Sequence, residues 1–324
     1  MEKRPLGNSS LKIASLVFGG NVFGWTVDER TSFSLLDAFV DAGFNAIDTA
    51  DSYSSWVPGN VGGESETIIG KWLKANPGKR DKVLIFTKVG SDMGQGRKGL
   101  SATWINQAVS DSLRRLRTDV IDLYQSHWPD EETLYAETLG TYAMLIDAGK
   151  IRATGASNLN AKQLSEALKV ARDQGLPRYE TMQPEYNLYD RKTFDGALRD
   201  LCIKENVGVI TYYSLASGFL SGKYHSKDDL AGSKRGGRLA RYFDARGERI
   251  LKALDQVSEQ HGAAPAEVAL AWIMARKGVT APIASATNLE QLQSLMNAAH
   301  LVLSADDIKA LDQASDDVGD EKNA

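Results

Sequence analysis

Short apolar runs alternate with longer amphipathic segments along the chain, and this alternation is the strongest constraint on its fold. Helical patterns, for example 102–116, 133–148 and 161–174, separate successive apolar runs. Eight of the runs have the length and composition of strands: 15–18, 46–48, 83–88, 121–125, 151–156, 181–183, 208–212 and 281–285. Strands joined by crossover helices form parallel sheets. Eight such units in 324 residues, with no linker of Pro, Gly or Ser, predict one closed (β/α)8 TIM barrel, with 1–324 as a single domain.

Both ends of the chain predict additions to this barrel. The segment RPLGNSSLKIA has two extended runs around a Gly-Asn-Ser turn, which predicts a small β-hairpin at the bottom of the barrel. From residue 244 onward the chain has more helical pattern than a barrel needs. At least one extra C-terminal helix is therefore expected.

Charge and apolar content exclude several kinds of partner. Lys and Arg total 38 against 42 Asp and Glu, and no long basic run is present, so a nucleic-acid partner is not expected. The first residues lack the apolar segment of a secretion signal, and no uncharged apolar stretch of about 18 residues occurs. We expect a cytoplasmic protein with no membrane partner.

The cysteine and the histidines favour neither a disulfide nor a metal site. Cys202 is the single cysteine and shares a helical face with Ala197, Leu198 and Leu201, so a buried core residue is favoured over a catalytic thiol. The four histidines form no HxxxH or Cys/His cluster, and no metal is expected.

Polar residues at strand ends are the candidates for a functional site, because barrel active sites lie at the carboxyl ends of the strands. Asp48 and Lys88 end the second and third predicted strands, and His127 follows the fourth. Later strands contribute Ser157, Asn158, Gln183 and Tyr212.

Tyr53, Lys88, Asp48 and His127 together suit reduction of a carbonyl group. A free phenol has a pKa of about 10, and a neighbouring ammonium is expected to lower it. Asp48 would hold Lys88 in position, and His127 would donate a hydrogen bond to the substrate oxygen. Taken singly, each residue is explained equally well by capping, packing or core burial. Their joint placement at three consecutive strand ends favours a site.

The sequence resembles the aldo-keto reductases nearly from end to end. The resemblance is carried in order by FGGNVFGW, GFNAIDTADSY, FTKVG, DVIDLYQSHWPD, IRATGASN, MQPEYNLYDR, TYYSLASGFLSGKY and ASATNLEQL. It implies the (β/α)8 barrel and a catalytic tetrad of Asp48, Tyr53, Lys88 and His127. In this comparison Tyr53 is the general acid.

The resemblance also implies extended NADPH across the barrel mouth, although the chain has no Gly-x-Gly-x-x-Gly motif. GFLSGK is not a phosphate loop, because three residues instead of four separate its glycines. The implied cofactor-binding residues are Gly20, Asn21, Asp48, Ser157, Asn158, Gln183, Tyr212, Ser214, Leu215, Ser217, Gly218, Lys223, Arg235, Ser285, Thr287 and Gln291.

The adenine end departs from the family pattern. Leu295 stands where the family has Asn, and Thr287 can hydrogen-bond a 2′-phosphate but cannot pair with it as an Arg would. Arg235 or Lys234 is a candidate source of the missing charge. We expect NADPH, with NADH or dual use as the alternative.

Tryptophans in the strand-end loops are candidates for the substrate pocket. Trp25, Trp56 and Trp128 are placed to wall it beside Tyr53 and His127. Polar contacts are expected from among Asn60, Glu64, Tyr186 and Arg191. The expected reaction is reduction of an aldehyde or ketone to an alcohol, or the reverse. Steroid-like or toxin-like ketones, sugar carbonyls and simple aldehydes all stay open as substrates.

Two other functions stay open at this point. One is a nicotinamide-binding regulatory subunit similar to potassium-channel β-subunits. The other is a barrel isomerase acting on a sugar phosphate, which would need no nicotinamide. Neither the oligomeric state nor the physiological direction of the reaction follows from the sequence.

Overall fold

A computed structural model describes residues 2–230 and 236–316 of the chain. The described strands are β1 (Arg4–Pro5), β2 (Lys12–Ile13), β3 (Val17–Gly19), β4 (Ala46–Asp48), β5 (Leu84–Val89), β6 (Ile121–Ser126), β7 (Ile151–Ser157), β8 (Thr181–Gln183), β9 (Gly208–Thr211) and β10 (Ala281–Ala284). Strands β3 to β10 pair in parallel, each with its neighbour in sequence, and β10 closes the ring on β3. The predicted (β/α)8 TIM barrel is confirmed.

Strands β1 and β2 form the predicted hairpin and close one end of the barrel. They pair antiparallel, with Arg4 opposite Ile13. Leu6, Leu11 and Ile13 are buried in one apolar cluster with side chains from the barrel strands. Gly208, which starts β9, leaves room for this plug, because a Cβ there would lie 2.7 Å from the backbone nitrogen of Gly7. The plug leaves the opposite end of the barrel as the open one.

Helices connect the strands and cover the outside of the barrel. The described helices are α1 (Glu29–Asp41), α2 (Glu64–Ala75), α3 (Ala102–Leu116), α4 (Tyr135–Asp147), α5 (Ala161–Gln174), α6 (Ala197–Lys204), α7 (Gly236–Leu239), α8 (Ala245–His261), α9 (Pro265–Met274), α10 (Leu289–Asn297) and α11 (Ala305–Ser315). Helix α9 packs against β10, and α11 packs against α8. Helices α8 and α11 are thus the extra C-terminal helices that the sequence predicts.

Local sequence explains where several helices begin and end. Ser101 accepts a hydrogen bond from the backbone of Trp104 at the start of α3. Asn160 and Gln163 form a reciprocal capping box at the start of α5, and Gly175 ends this helix at φ 65°. These caps satisfy helix-end backbone groups that would otherwise lack partners.

Two apolar layers stabilise the barrel. The inner layer includes Val17, Phe86 and Leu123 and lies inside the ring of strands. The outer layer lies between strands and helices and contains Cys202 of α6, which is 1% exposed. Burial raises the pKa of this thiol to about 12. Cys202 is therefore a buried core residue with little thiolate at neutral pH, as its helical face predicts.

Within the described ranges, no helix is both long and apolar enough to cross a membrane. The same residues contain no group of three or more His, Cys, Asp or Glu side chains that could hold a metal ion. Cytoplasmic localisation stays a prediction.

Candidate active site

A cleft of about 1640 Å³ lies at the open, carboxyl end of the strands. The strand ends deliver polar side chains to it in the way the barrel geometry predicts. Tyr212 and Ser285 lie one residue beyond β9 and β10, although the sequence places them within those strands. The strand-end residues lining the cleft include Asp48, His127, Ser157, Asn158, Gln183, Tyr212 and Ser285.

Lys88 is fully buried and links Asp48 to Tyr53. Its Nζ donates to Asp48 Oδ2 at 2.7 Å, to Tyr53 OH at 2.8 Å and to the carbonyl oxygen of Thr49 at 2.8 Å. Tyr53 OH lies 3.2 Å from the same Asp48 oxygen. All three donor positions of the ammonium are satisfied, so the geometry holds the amine directly beside the phenol.

Burial controls the protonation of Tyr53. Burial, together with the Asp48 carboxylate, raises the pKa of Tyr53 well above the usual phenol value. An adjacent ammonium such as Lys88 favours the phenolate, but desolvation is the largest cause of the shift and acts in the opposite direction, so the net shift is upward. The Tyr53 hydroxyl therefore carries its proton at neutral pH. Burial also lowers the pKa of Lys88, against the opposing effect of Asp48.

Two glutamines fix the second oxygen of Asp48. Gln183 donates from Nε2 to Asp48 Oδ1 at 3.0 Å, and Gln125 donates to the same atom at 3.5 Å. The sequence reasoning did not select Gln125. Gln125 lies two residues before His127, and alternate side chains of a strand face the same side. This two-residue spacing from His127 was the signal in the sequence that could have identified Gln125.

His127 enters the cleft as a neutral imidazole. Burial, helped by the Lys88 charge, lowers the pKa of His127 well below its ordinary value. Its Nδ1 lies 2.9 Å from Ser91 Oγ, another residue that the sequence reasoning did not select. If Ser91 donates, the other ring nitrogen carries the proton that faces the cleft. The His127 ring centre lies 6.1 Å from that of Tyr53.

Asn158 follows β7 and connects to residues that follow β6 and β9. Its Nδ2 donates to the carbonyl oxygen of His127 at 2.9 Å, and its Oδ1 accepts from Tyr212 OH at 2.7 Å. Its backbone is left-handed at φ 62°, a conformation that Asn tolerates better than most residues. Ser157 donates to the carbonyl oxygen of Gln183 at 2.8 Å. These bonds hold the polar side chains on this wall of the cleft in fixed orientations.

The segment after Tyr212 forms a tight turn at the edge of the cleft. Ala216, Ser217 and Gly218 have φ values of 48°, 60° and 108°. The backbone N–H groups of Ala216 and Gly218 donate to the carbonyl oxygens of Tyr213 and Leu215 at 2.7 and 2.8 Å. The residues of this segment that line the cleft include Ser214, Leu215, Ser217, Gly218 and Lys223, and their role in binding a cofactor stays a prediction.

The far end of the cleft is lined by Thr287, Gln291 and Leu295, among others. Thr287 donates to Gln291 Oε1 from both its backbone nitrogen and its hydroxyl, each at 3.0 Å. Leu295 lines the cleft and is 3% exposed, so its apolar side chain offers no hydrogen bond. Arg235 and Lys234 lie outside the described residues.

At the end of the first barrel strand, Gly19 lines the cleft in place of the expected Gly20. Gly19, at the end of β3, lines the cleft, whereas Gly20 is buried behind it, with its carbonyl oxygen accepting from Ser65 Oγ at 2.8 Å. Asn21 does line the cleft and accepts from Ser285 Oγ at 2.6 Å.

Aromatic rings surround the opening beside Tyr53. Trp25 and Trp56 meet edge to face with ring centres 5.7 Å apart, and Trp128 stacks on His127 at 5.9 Å. The three tryptophans expected to wall the pocket all line the cleft. The four polar residues considered for the same pocket do not: Asn60, Glu64, Tyr186 and Arg191.

The fold and the cleft define a class of protein, a (β/α)8 barrel with a buried ammonium–phenol contact at the carboxyl ends of its strands. The aldo/keto reductase family model matches residues 15–316. The chain therefore belongs to the aldo/keto reductase family.

Individual relatives cover nearly the whole chain. The chain is 32% identical to Protein tas of Escherichia coli K12, over 94% of this chain and 95% of that protein. It is 32% identical to aldo-keto reductase YhdN of Bacillus subtilis, over 97% of this chain and 93% of the relative. It is also 30% identical to aldo-keto reductase AMT2 of Alternaria alternata, over 95% and 90% of the two chains.

Family membership implies NAD(P)H-dependent carbonyl oxidoreduction on small molecules. It argues against the isomerase alternative, which would need no nicotinamide.

Proposed function

We propose that this protein reduces aldehyde or ketone carbonyls to alcohols, or catalyses the reverse, with Tyr53 as the proton donor. The observation that carries the proposal is the 2.8 Å contact between Lys88 Nζ and Tyr53 OH inside the cleft. A carbonyl oxygen gains negative charge as its carbon is reduced, so a positioned acid lowers the barrier.

Each member of the tetrad has a separate task in this proposal. Tyr53 delivers its proton to the carbonyl oxygen, and Lys88 stabilises the phenolate that results. Asp48 keeps Lys88 charged and in place through the 2.7 Å ion pair. Neutral His127 donates a hydrogen bond to the same carbonyl oxygen and orients the substrate. When bound, the reduced nicotinamide supplies the hydride.

The residues of the cleft fit such a dinucleotide. The cleft runs without interruption from Tyr53 to α10. Polar groups of Ser157, Asn158 and Gln183 suit a carboxamide, and the ring of Tyr212 offers a flat surface for stacking. The small residues Ser217 and Gly218 and the ammonium of Lys223 suit the pyrophosphate, and all three residues line the cleft. We propose NADPH as the cofactor, with NADH as the alternative. Thr287 would donate to the 2′-phosphate once its hydroxyl turns away from Gln291 Oε1.

A direct test combines cofactor binding with turnover. Quenching of protein fluorescence by NADPH and by NADH measures cofactor affinity, and consumption of reduced cofactor with aldehydes and ketones measures the reaction. Binding with turnover supports the enzyme. Binding of cofactor without turnover on any carbonyl in the panel would favour the alternative of a regulatory subunit resembling potassium-channel β-subunits, which nothing in the described residues otherwise favours.

A further inference from the structure

We infer that the substrate end of the cleft selects uncharged or cationic carbonyl compounds over those carrying a carboxylate or phosphate, and that Asp92 contributes to this selection. The inference rests on the proposed carbonyl reduction and adds a substrate class to it. It follows from the charges and ring faces around Tyr53.

The described lining of the cleft contains few charged residues, and they are unevenly placed. Lys223 lies in the segment after β9, Glu267 in α9 and Glu290 in α10. The other charged lining residues are Asp48 and Asp92. Lys223 is thus the one Lys or Arg side chain among the described lining residues, and it comes from a different part of the chain than Trp25, Trp56 and Trp128, which follow β3, β4 and β6.

The Lys88 charge does not substitute for such a cation. Its three bonds go to Asp48, Thr49 and Tyr53, and its side chain is fully buried. Arg97 lies five residues beyond Asp92 but donates to the backbone carbonyl oxygens of Met93 and Val61, at 2.9 and 3.3 Å. Neither Lys88 nor Arg97 is among the described residues that line the cleft.

Aromatic rings make the remaining walls unfavourable for an anion. Trp25, Trp56 and Trp128 line the cleft around Tyr53, and Trp56 and Trp128 are 49% and 47% exposed at its rim. The faces of such rings carry negative potential, so they attract cations and repel anions. Desolvating an anionic group against them without a partner is costly. A flat, apolar body with no negative charge fits this surface.

Asp92 gives the same preference through its own charge. It lines the cleft and directly follows Ser91, whose Oγ lies 2.9 Å from His127 Nδ1. Its Oδ1 accepts from the backbone of Gly94 at 2.8 Å, which fixes its direction. The side chain is exposed, so its effect on a charged substrate is modest and weakens with salt.

The test uses three benzaldehydes that differ only in the para substituent: carboxylate, carboxamide and trimethylammonium. With purified full-length protein and saturating cofactor, we expect kcat/KM to be at least about tenfold lower for the carboxylate than for the isosteric amide. The trimethylammonium compound should equal or exceed the amide. The difference should appear mainly in KM, because the effect is on binding.

A matched pair of variants isolates Asp92. Asp92→Asn should raise the carboxylate-to-amide ratio of kcat/KM by about two- to fivefold at low salt. Asp119→Asn makes the same charge change in the exposed loop before β6, at the opposite end of the barrel, and should leave the ratio unchanged. Comparing ratios between proteins cancels the different intrinsic reactivities of the aldehydes.

A binding measurement supports the kinetics without turnover. Benzoate, benzamide and phenyltrimethylammonium are unreactive, and quenching of tryptophan fluorescence reports their binding beside the rim tryptophans. The expected order of affinity places benzoate last. If none of the aldehydes is reduced, the proposed function fails. If the amide is reduced and the carboxylate is reduced equally well, the proposed function stands and the charge selection is overturned. If the carboxylate is disfavoured but Asp92→Asn and Asp119→Asn behave alike, Asp92 is removed from the inference.

Discussion

The ammonium of Lys88 lies 2.8 Å from the hydroxyl of Tyr53 and 4.6 Å from the centre of its ring. The two residues are 35 positions apart in the chain, with Tyr53 in the loop after β4 and Lys88 near the end of β5. The contact places a fixed positive charge where a phenolate would form on proton donation. Substituting Tyr53 tests the role of this contact in proton transfer, and substituting Lys88 tests its role in stability.

Tyr53→Phe removes the proton donor while keeping the ring. We expect kcat to fall by about 10²–10⁴-fold, the usual contribution of a general acid. Cofactor affinity, measured by fluorescence quenching, should stay within about twofold, because the hydroxyl is assigned to the carbonyl and not to the cofactor. Tyr135→Phe, on the outer helix α4, serves as the control. Undiminished turnover in Tyr53→Phe would exclude Tyr53 as the acid.

Lys88→Met leaves the buried Asp48 carboxylate without its ion-pair partner. The free energy of unfolding should drop by about 3–5 kcal/mol, the usual effect of breaking a buried pair. The double variant Lys88→Met/Asp48→Asn removes both charges and should recover part of this loss without recovering activity. Urea unfolding measures the free energy of unfolding of each variant. A double variant less stable than Lys88→Met alone would contradict the pairing.

His127 makes stability depend on pH. The pKa of His127 is lowered in the folded state. Below about pH 6.5 this histidine is therefore protonated in the unfolded chain while it stays neutral in the folded protein. The contribution of neutral His127 to the free energy of unfolding is therefore fully present above that pH and is lost as the pH falls.

Unfolding free energies at pH 7 and pH 5 test this for wild type and His127→Gln. The variant should show a smaller loss of stability on acidification, by at most about 1.4 kcal/mol per pH unit. Other titrating groups, such as Asp51 with its raised pKa, affect both proteins and cancel in the difference. Parallel pH dependences in the two proteins would mean that His127 titrates normally.

Thr287→Arg adds the guanidinium that the described adenine end lacks. Arg pairs with phosphate through two parallel hydrogen bonds, so NADPH affinity should rise by about tenfold. NADH lacks the 2′-phosphate, and its affinity should stay nearly constant. Ser110→Arg on α3 is the control for added charge. An equal gain for both cofactors would place the 2′-phosphate elsewhere.

Cys202→Ala tests the thiol alternative. The residue is buried, its thiol pKa is raised to about 12, and it does not line the cleft. We expect kcat/KM to remain at the wild-type value and stability to fall by about 1 kcal/mol from the lost packing. The native wild type should also react slowly with thiol reagents. A large loss of activity would restore Cys202 as a catalytic candidate.

The sequence was most informative where function depends on position along a strand. Asp48 and Lys88 were selected because they end strands, and the parallel register of β4 with β5 brings those ends together. Tyr53 lies outside any strand, and the family resemblance, more than periodicity, singled it out. Gln125 and Ser91 were missed because each acts only through a neighbour, Asp48 or His127, that lies far away in sequence.

The alternation of apolar runs with amphipathic segments determined the barrel, its open end and the residues delivered there, because strand periodicity and crossover geometry are local properties of the chain. Only the tertiary structure decided that burial raises the pKa of Tyr53, that Gly19 and not Gly20 lines the cleft, and that Asp92 lines the same cleft as Trp25, Trp56 and Trp128. Those outcomes depend on how completely water is excluded and on distances between residues remote in sequence, and neither is encoded in any short stretch of residues.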